Sequence, residues 1–338
     1  DYGMDYEDID MDGLVRTFLD DMENGLAGSD STIKMLPTYI ETGKDIPKNK
    51  KVIVLDAGGT NFRAATVYFD DTSQPVIENF KSELMPGLDE EVSKDKFYAT
   101  MAEYMKDIAD ASDDIGFCFS YPAEIHCDKD GKLIHLTKGI KAHEAEGHMI
   151  GKSLNAAITE KGISNEKNIV ILNDTVTTLL AGLSSFPQRS FSSTVGFILG
   201  TGTNTAYIER HENITKVDNL QPGGQMIINC ESGGFGKAPN GKIDKQIDQG
   251  TDHAGYQLFE KMISGVYLGP ICRETIKSAA ADGFFSDAVA NDLEQLPAIE
   301  AKDVSQFLTT PLSPNNPLTK ALSGGTSEDT TKVYYLAD

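Results

Sequence analysis

At 338 residues the chain is long enough for two domains, and 52 Asp and Glu against 30 Lys and Arg leave a formal net charge of −22. That acidity argues against nucleic acid and anionic membrane surfaces as partners, and a phosphate donor bound here would need a counterion. Mg2+ is the usual one, since it bridges phosphate oxygens with few protein carboxylates. Cys118, Cys127, Cys230 and Cys272 form no C-x-x-C and read as reduced structural thiols. With no apolar run of about 18 residues and no signal-peptide pattern, a soluble cytoplasmic protein is expected.

Asp1 to Asp10 reads as a solvated acidic tail. After it, Met11, Leu14, Val15, Phe18, Leu19, Met22 and Leu26 recur at helical spacing, ended by Gly25 and Gly28. Next comes Val52-Ile53-Val54-Leu55, then the turn of LDAGGTNFR, then Ala64, Thr66, Val67, Tyr68 and Phe69, a strand-turn-strand reading. Phe97, Met101, Tyr104, Met105 and Ile108 mark a helix, Ile115 to Phe119 a strand closed by Ser120-Tyr121-Pro122, and Gly151 to Lys161 a helix. The strand Ile169 to Leu172 runs into Asn173-Asp174-Thr175 and a helix through Val176, Leu179, Leu180 and Leu183.

A second strand-turn-strand follows: Val195, Phe197, Ile198 and Leu199 enter LGTGTN, and Ala206, Tyr207 and Ile208 leave it. Leu258 to Ile276 carries a helical pattern interrupted at Gly265 and at Gly269-Pro270, which predicts two helices or one kinked helix. From Pro311 on, no element is expected before Val333 to Leu336. Strands alternating with helices give an α/β class with sheets at least partly parallel, and the repeated hairpin suggests two related α/β halves.

The two turns are the main chemical signal. A phosphate needs backbone N–H groups at close range, and glycine removes the Cβ that would block the approach. No helix directly follows the glycines, and neither G-x-G-x-x-G nor G-x-x-x-x-G-K-[ST] occurs there, so dinucleotide-fold and P-loop readings lose. Either turn alone could be an ordinary hairpin; the matching Gly59-Thr60-Asn61 and Gly202-Thr203-Asn204 favour one polyphosphate held from two sides.

Asp174, where a strand meets a helix, is either an N-cap or a general base for a hydroxyl nucleophile. Asp56 is either a turn-stabilising carboxylate or one facing Mg2+. Arg63 and Lys138 are candidate cations for phosphate, with solvated surface groups as the alternative. Glu231 sits in NCESGGFG, a close-packed turn. Glu260, between Leu258-Phe259 and Met262, is a surface helix partner or a ligand. Together they are the donors and acceptors that a polyhydroxyl substrate requires.

With these residues assembled, the chain resembles the hexokinases, of the actin-like, sugar kinase and Hsp70 class of ATP-binding folds. The resemblance runs from about Met11 to Ala281. It rests on KMLPTYI, LDAGGTNFR, FSYP, LTKGIKA, NDT, LGTGTNTAYIE, NCESGGFG and LFEKMISGVYLG in the family's order. It implies a two-domain actin-like (ribonuclease H-like) fold with duplicated hairpin-bearing cores and a cleft between domains. Residues 1–49 would be the N-terminal helix segment of the large domain, 50–172 a small domain and 173–338 the large domain.

The resemblance further implies ATP- and Mg2+-dependent phosphorylation of the 6-hydroxyl of glucose or a related hexose, at the entry to glycolysis. Ser120, Thr137, Lys138, Asn173, Asp174, Asn204, Glu231 and Glu260 would contact the hexose, with Asp174 as catalytic base assisted by Lys138 and Arg63. Gly58, Gly59, Thr60, Asn61 and Arg63, with Gly200, Thr201 and Gly202, would hold the phosphates, and Asp56 would face Mg2+. Ser232 stands where the family often has Trp, which should loosen that turn. The family's adenosine-binding glycine motif and last helix are not found before Asp338, so a trimmed chain is expected. A non-catalytic hexose sensor with a degraded nucleotide site is the alternative, and an actin-like or chaperone-type ATPase is a third reading.

Overall fold

The computed structural model describes every residue except 1, 4–5, 43–45, 137–138, 186–188 and 190. In chain order the strands are β1 Leu36–Glu41, β2 Val52–Ala57, β3 Asn61–Phe69, β4 Pro75–Leu84, β5 Asp114–Phe119, β6 Ala123–Ile125, β7 Gly131–Leu133, β8 Asn168–Leu172, β9 Val195–Leu199, β10 Thr203–Arg210 and β11 Gln225–Asn229. The helices are α1 Met11–Ala27, α2 Lys94–Tyr104, α3 Ile150–Glu160, α4 Asp174–Ser185, α5 Lys242–Gln249, α6 Leu258–Ile263, α7 Gly265–Ala281, α8 Asp287–Glu294, α9 Ala301–Thr309, α10 Pro317–Ala321 and α11 Ser327–Ala337. The chain divides into two compact units, one of Asp1–Lys34, Ile198–Asn204 and Glu231–Asp338, the other of Met35–Phe197 and Thr205–Cys230.

The unit beginning at Met35 is organised by a five-stranded sheet in the order β4-β3-β2-β5-β8. β2 pairs antiparallel with β3 and parallel with β5, which pairs parallel with β8. Alternation sets the core: Ile53, Leu55 and Ala57 on β2, Ile115, Phe117 and Phe119 on β5, and Ile169 and Ile171 on β8 pack with Phe97 and Met101 of α2 and Leu154 and Ile158 of α3. Each such fully buried large apolar side chain contributes about 1.5–3 kcal/mol relative to leaving it exposed. A second sheet, β1-β11-β10-β9, joins residues far apart in sequence, with Leu36 opposite Asn229. Against it α4 packs Val176 and Leu179 on Ala206 and Ile227.

In the other unit Asp10 caps α1 by accepting from Gly13 N at 3.0 Å, and Gly28, at φ 71°, closes it in the left-handed region. The helix is as expected, but Met11, Val15 and Leu19 are exposed while Leu26 is buried. Helices α7 to α11 form a second core around Ile276, Val289, Leu293, Phe307, Leu318 and Val333.

Two expectations are corrected here. The acidic tail is not simply solvated: the Tyr2 hydroxyl donates to Asp282 at 2.8 Å, and Tyr2 packs against the helical core. The stretch after Pro311 holds two helices, started by Asn316, which accepts from Leu318 N, and by the Thr326–Asp329 capping box. Of the two alternatives for the 258–281 pattern the structure takes the two-helix one, broken at the extended Ser264 (ψ 155°) beside Gly265, while Pro270 sits inside α7 without ending it.

Candidate active site

The first group of candidate residues stands at the carboxyl ends of β2, β5 and β8, where ligands bind in open α/β sheets. The register aligns Asp56 with Cys118 and Cys118 with Leu172, so Asn173 and Asp174 leave the sheet beside them. The Cys118 thiol is pushed up to about 11 by burial and by the charges of Asp56 and Asp174, with Thr177 and Ser120 opposing. One thiol therefore feels both carboxylates. None of the four cysteines forms a disulfide, and Cys127 is exposed.

The capping question at Asp174 resolves onto its neighbour. The Asn173 carbonyl accepts from Thr177 N at 3.0 Å and its side chain from Thr175 N at 2.8 Å. Asp174 is the first helical residue, its carboxylate accepting from the same Thr175 N–H at 2.8 Å. A carboxylate there also faces the positive end of the α4 dipole.

The first glycine turn is held by its backbone. Gly58 N donates to Asn61 O at 3.0 Å and Met85 N to Thr60 O at 2.9 Å, while the Tyr121 hydroxyl donates to Gly58 O. Burial and the Asp56 charge hold the Tyr121 phenol well above its ordinary range. Gly59 lies within this turn. Asp56 and Arg63, cross-strand partners, form an ion pair at 2.6 Å with both groups about a third or more exposed. Ser120 N donates to Ala57 O at 3.2 Å, beside the turn. Thr137 and Lys138 lie outside the described residues.

The second group lies in the unit that contains Ile198–Asn204. Gly200 N donates to Gly202 O at 2.9 Å, and the first N–H groups of α7 hold the turn carbonyls, Gly265 N on Gly200 O at 2.7 Å and Val266 N on Thr201 O at 3.4 Å. Glu260, from α6, accepts from Thr203 N at 2.9 Å. A Cβ on Gly202 would lie 2.5 Å from that carboxylate, so glycine here admits Glu260.

Glu231 occupies the left-handed region at φ 57°, and Asn204 bridges it to the next residue, donating to Glu231 Oε1 at 3.4 Å and accepting from Ser232 N at 3.3 Å. A Cβ on Gly233 would meet Thr203 O at 2.9 Å and Glu260 Cβ at 3.1 Å. That contact is why this turn needs glycine. Burial raises the Glu260 carboxyl above its ordinary range and Glu231 adds to it, while the Thr203 N–H and Lys261 oppose.

Asn204, Glu231 and Glu260 are thus brought together in one unit, and Asp56, Ser120, Asn173 and Asp174 in the other. Sequence reasoning missed Gln257. It adopts φ 52° just before α6, and its Oε1 is buried with no donor among the described residues. That oxygen lies close to Gly233, 3.1 Å from where its Cβ would be. An orphaned acceptor beside two carboxylates suits a hydroxyl-bearing ligand. Nothing in YQLFEK marks it; the strain and the burial do.

Among the described residues no group of three or more His, Cys, Asp or Glu could hold a metal by itself, and no helix is long and apolar enough to cross a membrane. A single carboxylate such as Asp56 suits Mg2+ that arrives with phosphate ligands.

Two family models described as hexokinase match residues 2–183 and 194–338. Hexokinase HKDC1 of Mus musculus is 34% identical over 290 residues, covering 82% of this chain and 31% of that protein. Hexokinase-5 of Oryza sativa subsp. japonica is 33% identical over 310 residues, covering 87% and 60%. The chain therefore spans less than two thirds of the length of these relatives. A hexokinase structure from Schistosoma mansoni, complexed with glucose, superposes with a TM-score of 0.69 at 28% identity, covering 96% of this chain and 76% of that one. Strand-turn-strand glycine loops, the carboxylates at the parallel strand ends and both family matches lead to one assignment: the chain belongs to the hexokinase family, with its actin-like α/β fold.

Proposed function

We propose that the chain is a hexokinase that transfers the terminal phosphoryl of ATP to the 6-hydroxyl of a hexose, with glucose the first candidate. The observation that carries this reading is the placement of Asp56 and Asp174 at the carboxyl ends of β2 and β8, the two strands that flank β5 in the parallel part of the sheet, where the Cys118 thiol of β5 feels both carboxylates. In-line phosphoryl transfer asks a protein mostly for positioning and charge neutralisation. When bound, MgATP supplies the phosphoryl group and the cation that offsets its charge.

The chain's own groups do the rest. Asp174 accepts the proton of the sugar hydroxyl as its oxygen bonds to phosphorus, help worth on the order of 10²- to 10⁴-fold. Asn173, Ser120, Asn204, Glu231 and Glu260 hold the remaining hydroxyls, with Thr137 and Lys138 assigned to the same set. The amides around Gly58, Gly59, Thr60 and Asn61 and around Gly200, Thr201 and Gly202 hold phosphate oxygens, with Arg63 as a cation. Asp56 faces Mg2+. Exclusion of water from the occupied site would remove a competing nucleophile.

A coupled assay of ADP release with glucose, mannose and fructose tests the reading. Sugar-dependent ADP release is expected. Sugar binding without ADP release would instead make the chain a hexose sensor, and release independent of sugar would make it an ATPase of another kind.

A further inference from the structure

Helix α6 is only six residues long, too short to hold its own orientation in water. Yet it carries Glu260, whose carboxylate must meet Thr203 N at 2.9 Å. The next residue, Lys261, is 5% exposed, an unusual depth for an ammonium group. Its three donors are all used: Asp248 Oδ1 at 2.6 Å, Thr251 Oγ1 at 2.8 Å and His253 O at 2.8 Å. Asp248, near the end of α5, also accepts from Gly255 N with both oxygens at 3.0 Å. Burial alone would raise the Asp248 carboxyl, but Lys261 and Gly255 hold it below its ordinary range.

We propose that Lys261 is a positioning residue for hexose binding: by clamping α6 to Asp248 and the loop after α5, it fixes the rotation of the helix and so the place of the Glu260 carboxylate. Consecutive helical residues project about 100° apart, so locking one side chain inward sets the direction of its neighbour. The inference rests on the reading that Glu260 accepts hexose hydroxyls. Phe259 on Phe235, with ring centroids 5.9 Å apart, anchors the helix laterally, and Lys261 adds the directional tether.

Lys261 also acts through its charge. Glu231 faces Glu260 from the neighbouring turn and Tyr267 from α7, and Lys261 is the cation that favours an ionised Glu260. Loss of that cation moves protonation of Glu260 to higher pH, so hexose affinity would fall off earlier as pH drops.

The test is glucose binding by titration calorimetry, across about pH 5 to 8, for the wild-type chain, Glu260→Gln and the double variant Asp248→Asn with Lys261→Met. Lys261→Met alone would strand a mostly buried carboxylate; the double variant removes both charges at similar volume and keeps the fold, checked by its melting temperature. The expected result is a folded double variant with a glucose Kd about tenfold higher and an acid limb displaced to higher pH. If Glu260→Gln weakens binding while the double variant binds as wild type with an unmoved limb, the pair is only structural and the inference is overturned. If Glu260→Gln binds glucose normally, Glu260 leaves the sugar site and the inference falls with the reading beneath it.

Discussion

The two glycine turns look alike in sequence and are built differently. The turn after β2 is closed by backbone bonds to Asn61 and Met85 and by one tyrosine hydroxyl. The turn after β9 is propped by the N-terminus of α7 and by a half-buried carboxylate, Glu260, that reaches it from α6. The same contrast extends to the units around them. Both units have apolar cores, and the sheet unit has one buried carboxylate at a helix start, Asp130, but the other also ties its helices and turns together with Asp21 and Asp329, which are 0% and 1% exposed. A site group held by sheet backbone tolerates side-chain changes nearby, whereas one held by another side chain inherits every fault in its support.

The largest effect expected from this contrast is on stability. Asp329 accepts from Ser286 N at 3.0 Å and Ser286 Oγ at 2.9 Å, and from Thr326 N and Oγ1 at 2.8 and 2.7 Å, so one carboxylate ties together the N-cap residues of α8 and α11. Asp329→Ala should cost about 3 kcal/mol, since charge-assisted bonds are lost and buried N–H groups are stranded. Denaturant unfolding with amide exchange across residues 265–337 would measure it. Loss below about 1 kcal/mol would mean the helices do not depend on that carboxylate.

Acid should expose the same asymmetry. The N–H groups of Ser286 and Thr326 hold Asp329 far below the ordinary carboxylate range. For Asp21, burial works upward, but Lys237 and Thr32 bring it below that range. A depressed carboxyl stabilises the fold above its unfolded value, and that stability is lost as pH falls through the folded one. Helices α7 to α11 and the Asp21–Lys237 tether of α1 should therefore loosen before the five-stranded sheet as pH drops below about 4. Amide exchange at graded acid pH would show it, and uniform loosening would erase the contrast.

The smaller effects concern the turns themselves. Gly202→Ala puts a Cβ 2.5 Å from the end of the Glu260 side chain, which can move, so the fold should persist while the hexose KM rises about tenfold. Gly58→Ala meets only Asn61 O, at 3.4 Å, and should leave the hexose KM within about threefold. Equal effects from the two alanines would break the comparison.

Much of the sheet architecture was legible because the apolar runs Val52–Leu55, Ile115–Phe119, Ile169–Leu172 and Val195–Leu199 are short and cleanly bounded by turns. The place of Asp174 at a strand-helix junction was legible for the same reason. The partner of β1 was not, since no local pattern announces that Leu36 lies opposite Asn229. Helices α10 and α11 were hidden by their Pro-, Ser- and Thr-rich sequence, although Asn316-Pro317 and Thr326 with Asp329 are start signals that a capping-first reading would have found. Of the interruptions read at Gly265 and at Gly269-Pro270, the first is the break between α6 and α7, while α7 carries Pro270 without ending. Gln257 and the Lys261 clamp depend on burial and backbone strain, and neither leaves a trace in composition or spacing.

The central claim, that Asp174 takes the proton of a hexose hydroxyl, is tested most directly by measuring glucose-dependent ADP release and glucose affinity in the wild-type chain and in Asp174→Ala. A loss of at least about a hundredfold in kcat, with glucose affinity within about tenfold of wild type, is the predicted result. Near-normal turnover in Asp174→Ala would contradict it.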